Sequence, residues 1–319
     1  MPLFAALLIG LAFGAIAARS HFCTMGALSD YFLFGSRRRL RGLAMAAAVA
    51  LLGTSLLGLT GRAVFPNMVA LPWLAVIVGA FAFGVGMTLA GGCITRNLVR
   101  AGLGSFRAAV TMLAAALVAA CVTTGLLAWP LQGLDTLAIH LTLPRAWLPL
   151  AGAVIGTALI GWCLAPAKER SRARGDLIAG AGLGLLVPLW RLTVSAEPLP
   201  ISPALLLPLG DLLRLLVAAT PARADVPLVV GVVMGAAVTG RLAGTGRFET
   251  FADRADLGRH LAGAVLMGAG GGLAGTCSFG LIVSGIGALL PAAILGTIAL
   301  ALGCRQTLRV LEGRSFFSW

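Results

Sequence analysis

Three cysteines of this chain sit in closely similar local settings. The segments are Arg19-Ser20-His21-Phe22-Cys23-Thr24-Met25-Gly26, Leu89-Ala90-Gly91-Gly92-Cys93-Ile94-Thr95-Arg96 and Ala274-Gly275-Thr276-Cys277-Ser278-Phe279-Gly280. In each, an apolar Gly-rich stretch gives way to a small-residue turn carrying Cys, and a second apolar stretch follows. A helix start or a nearby Arg favours the thiolate, and Arg19 and Arg96 are close in sequence. A thiol held there is a soft contact and a weak S–H donor. That chemistry suits a sulfur-bearing anion better than a hard oxyanion or an alkali cation. Backbone N–H groups freed at a break, at the positive end of a half-helix, add an anion site. The candidate binding set is therefore Cys23, Cys93, Cys277, Gly92, Thr24, Thr276, Ser278 and Arg96. Core packing is the competing role for the thiols. Satisfying backbone carbonyls is the competing role for the hydroxyls, Thr95 included.

The remaining reactive residues point elsewhere. Cys121 and Cys163 lie among Ala, Val, Leu and Gly, where a free Cys acts as a small hydrophobe. Cys304 begins the C-terminal tail and reads the same way. The six cysteines form no CxxC pair and no Cys/His set with zinc spacing. His21 is the histidine beside a break. Asp30 is the acid expected deepest in apolar surroundings, as a functional group or a partner of Arg19. No G-x-x-x-x-G-K-[ST] loop exists, and Lys168, the one lysine, lacks its context. No cofactor and no enzymatic activity are expected.

The elements that position these residues must lie in a bilayer. Of 319 residues, 59 % are apolar and only 11 % charged, against roughly 25 % charged in soluble domains. A soluble nucleic-acid binder, a disordered chain and a secreted disulfide scaffold are excluded. A span needs about 20 mostly apolar residues. Nine stretches qualify: 2–18, 42–60, 71–92, 108–130, 146–166, 177–190, 226–243, 260–276 and 286–303. The first has no basic leader and reads as retained, not as a signal peptide. The expected fold is an all-α polytopic membrane protein in one permease domain, 1–319.

The net charge of +13 reads as orientation. Eighteen of the 24 basic residues fall in five clusters: Arg37–Arg41, Arg96–Arg107, Lys168–Arg174, Arg241–Arg259 and Arg305–Arg314. Nine spans with the N-terminus outside and the C-terminus inside put all five on the cytoplasmic side. No nucleic-acid partner is needed to explain them. The outer connection 191–225 is balanced in charge, and its middle, Ile201–Thr220, is expected as a helix along the membrane surface.

Internal repeats sharpen the topology. Residues 79–93 align on 263–277 at an offset of 184, with eight of fifteen positions identical, Cys93 on Cys277 among them. A weaker echo sets 10–26 on 231–247, where Cys23 meets Gly244. By the charge pattern, 71–92 and 260–276 run in opposite directions, so the stronger repeat is inverted, with halves of roughly 1–130 and 177–303. Inverted repeats with broken helices at the midplane mark secondary transporters. Irregular backbone at that depth is tolerated where it is buried in protein or lines a cavity. Close helix packing through small residues explains Gly10/Gly14 and Gly231/Gly235.

Residues 18–30 (ARSHFCTMGALSD), residues 84–105 (GVGMTLAGGCITRNLVRAGLGS) and the Gly-rich segment ending in Cys277 together resemble the YeeE/YedE membrane proteins, a sulfur-transport family that includes bacterial thiosulfate importers. LAGGCxxR is the most specific motif. The third departs, with Gly-Thr-Cys-Ser where members often show Gly-Cys-Asn. The resemblance implies an inner-membrane permease with nine spans in a waisted, inverted arrangement. It implies thiosulfate uptake along Cys23, Cys93 and Cys277, and a small soluble sulfur carrier of the TusA type as partner. Some relatives are linked to selenium or other sulfur species. Two rivals use the same thiols: a membrane thiol oxidoreductase, which needs a disulfide-forming pair, and a soft-metal carrier.

Overall fold

The computed structural model describes residues 2–62, 68–124, 138–142, 147–165, 170–193, 205–206, 208–209, 226–246 and 248–313. The helices in chain order are α1 (Pro2–Ser20), α2 (Thr24–Phe34), α3 (Arg38–Leu59), α4 (Trp73–Leu89), α5 (Ile94–Gly102) and α6 (Phe106–Thr124). There follow α7 (Leu148–Leu164), α8 (Arg170–Thr193), α9 (Val226–Leu242), α10 (Arg254–Leu273), a wide π-helical segment (Gly280–Gly285) and α11 (Pro291–Leu311). Two four-residue strands, β1 (Met68–Leu71) and β2 (Ile139–Thr142), pair antiparallel. This ribbon was not expected from the sequence.

Among the described residues, six helical stretches are long and apolar enough to cross a membrane, and α7 and α9 are shorter apolar helices. In their described residues, all nine expected spans fall mainly on helices. The stretch 177–190 is part of the longer α8. The last span begins later than expected, at Pro291, because the chain just before it belongs to the third break. The expected surface helix at Ile201–Thr220 lies largely outside the described residues. Within it Leu205, Leu206 and Leu209 are buried, and Leu206 packs on Gly271 of α10. These three leucines join the core and do not lie along a surface.

Glycine faces set the packing and show the relative directions. In α4 and α10, Gly79 lies on the Gly270 carbonyl and Gly270 on that of Gly79; Gly86 and Gly263 face each other in the same way. Rising numbers on one helix meet falling numbers on the other, so the pair is antiparallel. Under the 184-residue offset Gly79 corresponds to Gly263 and Gly86 to Gly270. The contact between Gly79 and Gly270 therefore maps onto the contact between Gly263 and Gly86, the signature of a two-fold relation. The next glycine extends the relation. Gly84 packs on Leu300 of α11, and its counterpart Gly268 packs on Ala115 of α6. The unit α4–Cys93–α5–α6 thus matches α10–Cys277–π segment–α11 in inverted orientation.

The weaker echo is parallel. Gly10 lies on the Leu228 carbonyl and Gly14 on that of Val232, while Gly231 lies on Leu7 and Gly235 on Leu11. Along α3 and α8, Gly180 lies on the Gly42 carbonyl and Gly184 on that of Ala46, again parallel. Gly152 and Gly156 of α7 face Ser55 and Leu52 of α3, which is antiparallel. These directions agree with nine alternating spans. No side chain separates such pairs, so backbones approach closely, the usual way for apolar helices to associate in lipid.

Ion pairs tie several of the basic clusters to neighbouring elements. Arg38 binds Asp176 at 2.6 Å, and Arg39 pairs with Asp30 at 3.3 Å. Asp30 is thus partnered by Arg39, not by Arg19. Arg100 binds Glu249, and Arg107 reaches Asp256 at 3.5 Å.

Candidate functional site

The three breaks share one backbone plan. At the end of α4, Gly91 turns left-handed (φ 64°), and at the end of α10 Gly275 does the same (φ 68°). The Gly92 N–H then donates to Met87 O at 2.9 Å, and the Thr276 N–H to Gly271 O at 3.0 Å. This is the Schellman closure of a helix C-terminus. Two residues after each left-handed glycine stands the cysteine. The carbonyls of Cys23, Cys93 and Cys277 accept from Ala27, Asn97 and Leu281 at 3.0, 3.0 and 2.9 Å. Each cysteine is therefore the N-cap of a new half-helix. The first break differs in one residue: His21 holds the left-handed turn (φ 51°) where the other two have glycine. A non-glycine residue there costs of order 1–3 kcal/mol. The Cys23 sulfur accepts from the Gly26 N–H at 3.3 Å, capping its own helix.

The half-helices converge. Gly79 lies beside Ala274, and Gly263 beside Ala90. The ends of α4 and α10 are thus about eleven residues apart along the seam, or ~16 Å at 1.5 Å per residue. Yet Ser278, the first residue after Cys277, touches the Cys93 thiol. Both breaks therefore turn back from their helix ends toward the middle. The Cys93 thiol meets the Cys23 thiol and the backbone amides of Thr24 and Arg96. One sulfur thus sits where three half-helix N-termini meet.

This centre is dry and under-satisfied. Cys93 and Cys277 are fully buried, and Cys23 is 5 % exposed. The hydroxyls of Thr24, Thr95, Thr276 and Ser278 are buried without a hydrogen-bond partner; Ser278 is adjacent to Cys93 but not in bonding geometry. An orphaned buried polar group costs about 1–3 kcal/mol, so four together call for an explanation. A ligand that accepts hydrogen bonds supplies one. Gly92 has a packing role: a side chain there would lie 3.1 Å from Cδ of Arg96, which folds over the turn. Phe13 of α1 closes on Phe279 edge to face at 5.0 Å.

On the Arg96 side of the centre lies a cavity of about 450 Å³. Its lining includes His21, Arg96, Arg100, Ser105, Thr245 and Glu249. At its rim the Arg100 guanidinium bonded to Glu249 holds that carboxyl below the usual carboxylate range. Among the described residues no group of three or more His, Cys, Asp or Glu side chains could hold a metal ion.

The family model described as "Sulphur transport" matches residues 19–305, from just before the first break to just after Cys304. The chain belongs to the sulphur transport family. Two relatives are both named thiosulfate transporter TsuA. The one from Escherichia coli (strain K12) is 34 % identical over 98 residues, 31 % of this chain and 28 % of that protein. The one from Spirochaeta thermophila is 24 % identical over 317 residues, 93 % of this chain and 95 % of that protein. Membership of this family fits a membrane transporter, not an enzyme.

Set against the sequence expectations, Cys23, Cys93, Thr24, Ser278 and Arg96 come together at the centre. Cys277 and Thr276, both fully buried, directly precede Ser278 in the same turn. Two neighbours were not anticipated. Cys304 is not in a tail but inside α11, fully buried, with its thiol on the Thr88 hydroxyl and close to Cys23. Asn97, 1 % exposed, donates to Gly92 O at 3.0 Å and ties the second break shut. A polar residue four places after a break-point cysteine was the available signal for Asn97. Nothing in the sequence marked Cys304. Cys163 is buried, as expected, whereas Cys121 is exposed on α6.

Proposed function

We propose that this protein is an inner-membrane permease for uptake of a small sulfur-containing anion, first of all thiosulfate. The observation that carries the reading is the Cys93 thiol, set at the meeting of three half-helix N-termini beside the orphaned hydroxyls. Amides and half-helix dipoles favour negative charge. The hydroxyls of Thr24, Thr276 and Ser278 are suited to the oxygen end of the anion, and the thiols to its terminal sulfur. The anion passes from Cys277 to Cys93 and Cys23, and then to the cavity with Arg96. Each contact is individually weak, since tight binding would block exit. The names of the two relatives support thiosulfate.

In this reading the chain acts as one permease domain, 1–319, with halves of roughly 1–130 and 177–303. The N-terminus faces outward, and the basic clusters are cytoplasmic. A small TusA-like sulfur carrier receives the anion there. In a thiosulfate-dependent auxotroph, Cys93→Ala and Cys277→Ala are expected to abolish growth on thiosulfate; normal growth of both would sink the thiol relay. A selenium compound or another sulfur species is the alternative cargo, and competition for uptake separates them. The Cys23–Cys93 contact is also what a thiol oxidoreductase would need. Alkylation that tracks the redox state of the membrane would favour that reading instead.

A further inference from the structure

The cavity beside Arg96 has charges arranged in an uneven way. Arg96 has no ion-pair partner among the described residues, and its Nε is buried without a hydrogen bond. Arg100, one helical turn further along α5, is bound to Glu249, and the same carboxylate faces Arg107 at 3.7 Å and the Ser105 hydroxyl at 3.2 Å. With Asp256 also 3.5 Å from Arg107, two carboxylates offset the two guanidinium groups at the rim, while Arg96 is left without a carboxylate among the described residues. The cavity also differs from the centre in having room for water. At about 30 Å³ per water, its 450 Å³ holds an anion with much of its hydration shell.

We propose that this cavity is a second anion station, where the transported anion rehydrates after leaving Cys93, with Arg96 holding it and Glu249 keeping the hold weak. The proposal rests on the uptake reading above and adds an exit site with its own affinity control. An oxyanion with a double negative charge, leaving a dry constriction, needs a cation to leave toward. Arg96 folds over the Gly92 turn and spans the two compartments. Three uncompensated arginines around one dianion would instead make a trap. Glu249, bound to Arg100, and Asp256, which faces Arg107 at 3.5 Å, take the other two out of the balance, so binding is sufficient for transfer and too weak to retain the anion.

The test uses inorganic thiosulfate and the full chain in detergent, in a Cys93→Ala background that removes the central thiol but leaves the cavity. Calorimetry is expected to show salt-sensitive binding, weakened at least tenfold by adding Arg96→Gln and tightened several-fold by adding Glu249→Gln. With Cys93 intact, Glu249→Gln is expected to lower both KM and the maximal rate of uptake in proteoliposomes. Glu249 also ties its loop to the α5–α6 turn, so Arg100→Gln with Glu249→Gln is measured alongside; removing the pair as a unit should leave affinity within twofold of the parent. Unchanged affinity in Arg96→Gln overturns the proposal, as does Glu249→Gln or the double variant binding more weakly than the parent. If the wild-type protein moves no thiosulfate, the uptake reading fails; if it does and these variants bind alike, only the exit station fails.

Discussion

The two-fold seam between α4 and α10 makes a quantitative demand. A Cβ added at Gly86 would lie 2.6 Å from Gly263 O, and one added at Gly263 would lie 2.7 Å from Gly86 O; ordinary contact begins at 3.4 Å. Either Gly→Ala change therefore asks the helices to part by about 0.7–0.8 Å. Overpacking of this kind costs about 1–3 kcal/mol, offset by up to ~1 kcal/mol from the better helix propensity of Ala. Net losses of about 0–2 kcal/mol are expected, and of similar size for the two variants because the sites are counterparts. Once the first change has parted the helices, the second meets less resistance. The double variant should fall short of additivity by at least ~0.5 kcal/mol, within the range for residues in contact. Gly161→Ala in α7, where a Cβ meets nothing within 4 Å, is the matched control and should be neutral or stabilising. Thermal unfolding in detergent at a fixed scan rate reads all four variants. Seam variants as stable as Gly161→Ala, or full additivity, would refute the packing argument.

Further outcomes follow from the same structure. Removing a hydroxyl at the centre, as in Ser278→Ala, deletes an orphaned polar group, so the protein should melt no lower than wild type while uptake falls roughly 10-fold or more, the equivalent of about 1.5 kcal/mol; unchanged uptake would deny the hydroxyl a role. A maleimide should label Cys121 first, and Cys23, Cys93, Cys277, Cys163 and Cys304 only after unfolding, as peptide mass mapping will show; early labelling of Cys93 would contradict a dry centre. Glu249 has its carboxyl held low by Arg100, so its contribution to stability is complete above the usual carboxylate range and is lost as pH falls through the lowered value. Melting at pH 7 and in stepwise acid should show this loss in wild type and less of it in Glu249→Gln; identical acid profiles would exclude the ion pair as a stabilising tie. His21→Gly should relieve the left-handed strain, leaving the protein more stable by about 1 kcal/mol, and a lower melting temperature would show that the imidazole repays its conformation.

Much of the fold was legible because a bilayer permits few alternatives. Composition, span length and the arginine clusters placed all nine spans, in their described residues, mainly on helices, and Cys93 on Cys277 exposed the inverted repeat. The site was partly legible for a related reason: small, turn-prone Gly-Gly-Cys and Gly-Thr-Cys disfavour continuing a helix, so where they end an apolar span they mark the breaks. Distances between breaks were not legible. That Ser278 reaches Cys93, and that Cys304 approaches Cys23 from α11, depends on how four helices cross. The ribbon of β1 and β2 was missed because its strands are only four residues long. Leu205 and Leu206 were misplaced because an apolar stretch that lies on a membrane and one that fills a gap over Gly271 have the same composition.

The central claim is that the sulfur atoms at the three breaks carry a sulfur-containing anion across the membrane. The most direct measurement is uptake of radiolabelled thiosulfate into proteoliposomes containing wild type, Cys93→Ala or Cys277→Ala, with empty vesicles as the baseline. The loss of a hydrogen bond to a charged group, about 1.5–3 kcal/mol, corresponds to a roughly 10- to 150-fold slower passage. Saturable wild-type uptake that resists excess sulfate, with both variants slowed by at least 10-fold, is the predicted result; uptake by either variant within twofold of wild type, or wild-type uptake no faster than empty vesicles, would contradict it.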